Sequence, residues 1–294
     1  MSGILVVGQA VLDLVFEVDA IPDRAVKYRA RDARIVGGGC AANAAVAIAR
    51  LGGQAHLAAP AGDDEIGGLI AEGLAREGVG VENLLRGAGA RSSFSAVMVD
   101  PAGERQIVNL RGDMPAAAPG WRLPPLAAVL ADTRWPAGAA AALELARARG
   151  LPGVLDGEDP IDPALARRAS HVAFSRPGLA AFTGLDAPGA GLVAAAGRLP
   201  GVWVAVTDGA AGAWHLDAGG GVVHTPAPAV VAIDTLAAGD VWHGAFTLRL
   251  AEGAPEAEAI RFANAAAALK CTRPGGRAGA PTRAETDHVL KEST

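Results

Sequence analysis

The sequence predicts an α/β protein, a three-layer αβα sandwich with a mostly parallel central sheet and a small antiparallel β lid. Three observations predict it. The run Gly3-Ile-Leu-Val-Val-Gly8 is apolar without alternation and stops at glycine, the pattern of a strand buried on both faces of a parallel sheet. Strand-type and helix-type segments then alternate along most of the chain, the rhythm that folds as βα units around one sheet. Two pairs of segments with alternating polar and apolar residues interrupt that rhythm and read as strands with one wet face.

After the first buried strand come the half-exposed segments 15–19 and 27–36. An Ala-rich helix over 41–51, a strand over 55–59 and a helix over 66–77 follow. The second half-exposed pair, 93–99 and 106–110, flanks Asp100-Pro-Ala-Gly-Glu104, whose residues suit a hairpin turn. The four half-exposed strands make the lid, about 15–36 and 91–111, on a single domain spanning 1–294. The βα rhythm resumes with a strand over 128–131, a helix over 138–149, strands over 153–155 and 171–174, a helix over 179–182, and strands over 202–207 and 221–224. Two Ala-rich helices, around 239–251 and 255–270, close the pattern. Stretches around 115–125 and 185–200, rich in Ala, Gly and Pro, read as surface connections.

Composition narrows the function classes. Of the 294 residues 51% are hydrophobic and 19% charged, with mean hydropathy +0.27, so the chain can bury enough apolar surface to fold. No apolar run reaches about 18 residues and no basic-then-apolar leader is visible, which gives a cytoplasmic, soluble protein as the expectation. A net charge of -5 and a pI near 5.7 leave no electrostatic footprint for nucleic acid or an anionic membrane. Cys40 and Cys271 lack metal-type spacing and read as packed thiols. Only three lysines stand against 23 arginines, which draws notice to Lys27.

Two segments carry chemistry. In Asp234-Thr-Leu-Ala-Ala-Gly-Asp240, small residues precede the apolar helical stretch Val241-Trp-His-Gly-Ala-Phe246. The unpaired N–H groups of Ala237, Ala238 and Gly239 at such a helix start can receive a phosphoryl group, and Asp240 can take a proton from an attacking hydroxyl. The same residues also fit a plain helix cap by Asp234, Thr235 or Asp240. In Gly37-Gly-Gly-Cys-Ala-Ala-Asn43, glycines let a ligand touch backbone, and Asn43 can hydrogen-bond sugar hydroxyls. Taken alone, a glycine-rich helix start of this kind more often marks only a tight turn.

Together the two segments resemble the paired signatures of the ribokinase-like (PfkB-type) carbohydrate kinases, in the family's order and over essentially the whole chain. The similarity includes a first strand ending in Asp13, the Thr207-Asp-Gly-Ala-Ala-Gly212 loop and the C-terminal Ala-rich helix. The resemblance implies Asp240 as general base and the 237–239 amides as anion hole. It implies Asp13, Gly38, Gly39 and Asn43 on the sugar, and Thr207, Asp208, Gly209, Gly212, Thr272 and Gly275 around ATP, with Mg2+ as second cofactor. No covalent intermediate is needed for such a transfer. Two positions depart from the family pattern. Ala237 stands where glycine is usual, which a negative φ would accommodate. Ser175-Arg-Pro-Gly178 stands where the family has Asn-x-x-Glu, removing an acidic group that orders metal-bound water. The metal ligands are therefore unassigned, with Asp156 or Glu158 as substitutes or as solvated loop carboxylates.

A narrower set of segments, including Gly103-Glu-Arg, Leu155-Asp-Gly157 and Ala268-Leu-Lys-Cys-Thr-Arg-Pro-Gly-Gly-Arg-Ala-Gly279, is similar to the branch of that family acting on 6-deoxy-6-sulfofructose. The resemblance implies a sulfonate held by Lys27, Asn109 and Arg134. It points to ATP-dependent phosphorylation of a ketohexose, most closely sulfofructose to its 1-phosphate. An unsubstituted ketose, a phosphosugar, or a weakly catalytic binding protein on the same fold are the alternatives. Four short lid strands bury too little apolar surface alone, so a homodimer through the lid is expected. A dinucleotide-binding fold is set aside because Gly8-Gln-Ala-Val-Leu-Asp13 lacks the glycines that pyrophosphate requires.

Overall fold

The computed structural model describes residues 2–116 and 120–292. In chain order its strands are β1 (Gly3–Val7), β2 (Val11–Glu17), β3 (Asp32–Gly38), β4 (Ala55–Ala58), β5 (Pro60–Gly62), β6 (Leu85–Gly87), β7 (Phe94–Val99), β8 (Arg105–Leu110), β9 (Leu126–Ala131), β10 (Gly153–Gly157), β11 (His171–Ser175), β12 (Trp203–Thr207), β13 (Ala213–Leu216) and β14 (Val222–Thr225). The helices are α1 (Cys40–Arg50), α2 (Glu65–Arg76), α3 (Pro136–Ala148), α4 (Pro163–Ala166), α5 (Arg176–Thr183), α6 (Pro188–Arg198), α7 (Ala238–Ala251), α8 (Glu256–Cys271) and α9 (Arg283–Glu292).

The large sheet runs β14-β13-β12-β11-β10-β9-β1-β4 and is parallel from β4 to β12, with an antiparallel edge at β13 and β14. Alternate residues of β1 explain its unbroken apolar run. Ile4 and Val6 pack among residues of α1, α7 and α8, while Leu5 and Val7 pack among those of α3, α5 and α6 on the other face. The ends of β1, β9 and β10 open toward the lid side, where the crossovers deliver Gln9, Asp132 and Asp156.

The lid is a four-stranded sheet of order β3-β2-β7-β8. Its outer pairs are antiparallel, and its two halves join through a parallel pairing of β2 with β7. Two lid strands are displaced from their expected positions. β2 begins at Val11, so Asp13 belongs to the lid and not to the end of the first core strand. β2 pairs residue for residue with β3 from Val11↔Gly38 to Glu17↔Asp32, so β3 starts only at Asp32 and Lys27 falls in an exposed loop instead of a strand. The expected surface connection over 185–200 is mostly helix α6, with Pro188 in the first turn, where its missing N–H costs nothing. Of the other expected connection, around 115–125, residues 117–119 lie outside the described residues. Among the described residues no single helix is long and apolar enough to cross a membrane.

Candidate active site

The lid covers a cleft of about 540 Å³ at the sheet's open end, and Asp240 lies at its floor. Asp240 is in the first turn of α7, and its Oδ2 accepts a hydrogen bond from Asn43 Nδ2 at 2.7 Å. Burial, and then the neighbouring charge of Asp156, push its carboxyl up to about 6, with Asn43 and His243 acting in the opposite direction. A carboxylate with that pKa is charged at neutral pH yet basic enough to take a proton. Among the described residues the N–H groups of Ala237, Gly239 and Asp240 have no acceptor, whereas that of Ala238 is taken by the Thr235 carbonyl at 3.2 Å. α7 has no side-chain cap, so its N-terminus is left open for an anion. Ala237 has φ 65°, the left-handed region, so the negative φ that would have accommodated alanine there is absent.

The glycine triplet has steric causes. A Cβ on Gly37 would stand 1.7 Å from the Arg277 guanidinium, and one on Gly39, at φ 94°, would stand 2.4 Å from the Gln9 carbonyl. Gly37, Gly38, Gly39, Asn43 and Asp13 all line the cleft. Burial raises the Asp13 carboxyl, countered by a hydrogen bond from Ser95 and by the charge of Arg277.

Three further groups hold this floor together. Asp132, buried at the end of β9, accepts N–H bonds from Gln9 (2.8 Å), Ala41 (3.1 Å) and Arg134 (2.8 Å), fixing the start of α1 to the β1–β2 turn. His243 faces carbonyls at both ring nitrogens, Gly239 O at 2.8 Å and Ala173 O at 3.0 Å. Burial would lower its pKa, but the Asp156 carboxylate and those carbonyls outweigh burial and raise it. Asp156 is pushed up to about 6, mainly by burial, and its Oδ1 accepts no hydrogen bond, with His243 Nε2 3.5 Å away. Cys40 Sγ and carboxylate oxygens of Asp156 and Asp240 lie within 4.8 Å of one another. Burial and the surrounding carboxylates hold the thiol above its ordinary pKa.

Asn109 on β8, Arg111 just after it, Arg134 after β9 and Arg277 beside β3 also line the cleft. Asn109 Nδ2 donates to Ser95 Oγ at 3.1 Å. Arg134 donates to the Asp159 carbonyl at 3.0 Å and lies 3.7 Å from Glu158. Arg277 is 8% exposed, yet no carboxylate approaches its guanidinium within the 4 Å of an ion pair among the described residues, and burial pulls its pKa down. Lys27 does not line this cleft.

On the far side of residues 235–239 lies a second cavity of about 420 Å³, lined by Thr207, Gly209, Gly212, Trp242, Asn264 and Cys271 among others. Trp242 Nε1 donates to Asn264 Oδ1 at 2.8 Å, which fixes the indole as part of the wall. Three residues expected around the nucleotide lie outside that lining. Asp208 pairs with Arg176 at 2.8 Å, Thr272 caps α8 through the Leu269 carbonyl, and Gly275 donates its N–H to Asp234 on the lid side. Ser175 caps α5 through Gly178 N–H, so the 175–178 segment contributes no carboxylate.

A base at the start of an uncapped helix, between a polar cleft and an apolar cavity, is an arrangement for moving a phosphoryl group. Residues 1–283 match the model of the pfkB family of carbohydrate kinases. The chain belongs to that family. It is 29% identical over 297 residues to the ribokinase of Bacillus subtilis (strain 168), covering 99% of this chain and 100% of that protein. It is 30% identical to a fructokinase of Klebsiella pneumoniae, with 86% and 91% covered. Among solved structures, a candidate ribokinase from Agrobacterium tumefaciens superposes with TM-score 0.91 at 38% identity, over 99% of this chain and 98% of that one. The ribokinase fold is shared by an Arabidopsis thaliana ribokinase solved with ribose and ATP, TM-score 0.88 at 23% identity, with 99% of each chain covered. This pfkB-family protein is a sugar kinase, a phosphotransferase acting on an alcohol.

Proposed function

We propose that this kinase uses ATP to phosphorylate a hydroxyl of a ketohexose with an anionic tail, 6-deoxy-6-sulfofructose giving its 1-phosphate. The observation that carries the reading is the set of donors Asn109, Arg111, Arg134 and Arg277 lining one cleft, with Arg277 buried and, among the described residues, no carboxylate within 4 Å of it. A sulfonate is ionised at every relevant pH and presents three acceptor oxygens, which suits guanidinium forks and a neutral amide. A neutral sugar would offer the guanidinium groups no counter-charge under a closed lid, which a low-dielectric site makes costly. In this reading Arg277 supplies the third donor in place of Lys27.

Asp240 takes the proton of the acceptor hydroxyl as that oxygen attacks the γ-phosphoryl group. The N–H groups of Ala237 and Gly239 receive the charge that develops on the phosphoryl oxygens. Asn43 holds Asp240 in place through its amide, so its Oδ1 is the atom left for a sugar hydroxyl. ATP occupies the apolar cavity, with its base against the Trp242 side. Magnesium takes hard oxygen ligands, and the unpartnered Asp156 Oδ1 fits that requirement while the soft sulfur of Cys40 does not. When bound, the ion neutralises the phosphate charge.

The lid also suits a second copy of the chain. Ile35 and Val108, on the strand face opposite the cleft-lining Val36 and Ile107, are 60% and 64% exposed, an apolar outer surface that a partner lid would cover. Light scattering at micromolar concentration tests the dimer. A phosphorylation screen with ATP and Mg2+ against sulfofructose, fructose, fructose 6-phosphate and ribose tests the substrate. Sulfofructose is expected to give the highest kcat/KM. Preference for fructose 6-phosphate would reassign these donors to phosphate, and preference for ribose or fructose would remove their anion-binding role.

A further inference from the structure

Lys270 is fully buried in the last turn of α8, in a chain with only three lysines against 23 arginines. Its Nζ donates to the Asp234 carbonyl at 2.6 Å and the Arg273 carbonyl at 3.4 Å, and lies 3.4 Å from Asp234 Oδ2. Three acceptors thus face three N–H groups, a complete shell for an ammonium. Asp234 is the other half of the knot. Its Oδ2 accepts the N–H groups of Gly275 (2.8 Å) and Gly276 (3.2 Å), and its Oδ1 accepts that of Leu236 at 2.9 Å. The Ile233 and Asp234 N–H groups both bond to the Cys271 carbonyl.

These ties hold a loop that packing does not hold. Ile233 and Leu236 are 63% and 51% exposed, so the 233–236 segment gains little from apolar burial. It nevertheless leads directly into Ala237, strained at φ 65°, and into the open amides of α7. Taking an ammonium wholly out of water costs several kcal/mol, more than the favourable end of a helix dipole returns to an exposed lysine there. A compact, carbonyl-lined site also suits an ammonium and not the broad planar fork of arginine, in a sequence that otherwise prefers arginine.

We infer that Lys270 is a positioning residue for phosphoryl transfer, a tethered cation that orders the 234–237 loop and so aims the helix-start amides at the transferring group. This rests on the proposed anion role of residues 237–240. Main-chain carbonyls and a carboxylate are also the ligands of a hard monovalent cation, so with Lys270 present the enzyme needs none from solution.

Wild-type turnover should change by less than about twofold when K+ is replaced by Na+ or by tetramethylammonium. Lys270→Ala should lower kcat about 100-fold, as expected for misaimed groups near the chemistry, with the sugar KM within about threefold. Ammonium or K+ at high millimolar concentration should then restore at least about tenfold of that loss, because either can enter the vacated shell. ATP binding followed by calorimetry should weaken and recover in parallel, a readout that survives even if no tested sugar is turned over. Lys270→Met keeps the length and apolar stem of the side chain, and serves if the alanine variant does not fold. A wild type strongly stimulated by K+, a variant with normal kcat, or a loss that no small cation relieves would each overturn the inference.

Discussion

At the floor of the cleft the polar groups are tied. Asp132 accepts three backbone N–H groups, His243 spans two carbonyls, and Asn43 holds Asp240. Around the arginines the ties are looser, for Arg277 is buried with Asp13 and Glu77 near it but no carboxylate within 4 Å among the described residues, and Arg134 has only a distant carboxylate and one carbonyl. Satisfied polar groups in a low-dielectric interior fix geometry, while an unsatisfied one raises the reward for a ligand that completes it. In the proposed reading the floor performs the transfer and the cleft-lining arginines select what is transferred to.

Breaking the floor should have the largest effect. Asp240→Asn keeps the hydrogen-bonding shape but loses the base, so kcat should fall about 1,000-fold with ATP binding little changed. Removing a carboxylate whose pKa is raised by burial should leave the variant at least as stable as the wild type at pH 7, readable by thermal melting. A near-normal kcat would take the proton-accepting role away from Asp240.

The cleft-lining arginines should respond selectively. Arg277→Ala is expected to cost roughly 2–3 kcal/mol of the preference for sulfofructose over fructose, the consequence of leaving a buried anion without its partner. Arg134→Ala should cost less, because its guanidinium already leans on Glu158 and the Asp159 carbonyl. Lys27→Ala, in an exposed loop, should stay within about twofold on both sugars, as surface substitutions do. Equal losses on both sugars for Arg277→Ala would make that residue a support for Gly37 and the lid.

The same contrast explains what could be read from the residues alone. The glycine triplet, Asn43 and the 234–240 segment are local in sequence, because backbone amides at a helix start are set by neighbouring residues. Helix α6 was hidden because Pro188 and its small neighbours resemble a loop until the missing N–H is placed in a first turn. Asp132, Asp156, His243 and Arg277 come from β9, β10, α7 and a turn after α8. Only the parallel order β10-β9-β1 brings the first two together, and no spacing along the chain encodes it. Arg277 lies inside the Ala268–Gly279 segment that carries the narrower resemblance, but only the fold sets it against Gly37.

Acid should separate activity from stability at the floor. Without bound magnesium, burial pushes Asp240 and Asp156 both up to about 6, above the ordinary carboxylate value of 3.8. Below about pH 6 Asp240 gains its proton, and kcat/KM should fall by up to about tenfold per unit. Folding has the opposite sign in this window. The native state binds more protons than the unfolded chain between about pH 6 and 4, so these two groups make the fold more stable as pH drops through it. Melting followed against pH, in the wild type and in Asp240→Asn, isolates the contribution, since the variant should lose part of the slope. An activity profile flat down to pH 5 would mean that the reactive carboxylate titrates lower in the presence of substrate.

The smallest expected effect is at Ala237, where floor and nucleotide cavity meet. Its φ of 65° is the only positive value at a non-glycine among the described residues, and a left-handed alanine costs roughly 1–2 kcal/mol in steric strain. Glycine would relieve that strain but would also give the unfolded chain more freedom, which returns roughly 0.4–1 kcal/mol of the gain. Ala237→Gly should therefore raise the melting temperature by only about 1–3 °C. The neighbouring amides remain tied through Leu236 N–H and the Thr235 carbonyl, so kcat should move less than about twofold. A large gain in kcat with no change in melting would show that the alanine holds the amides away from their best aim. A fall in melting temperature would show that the methyl group packs usefully and that the strain is smaller than its φ suggests.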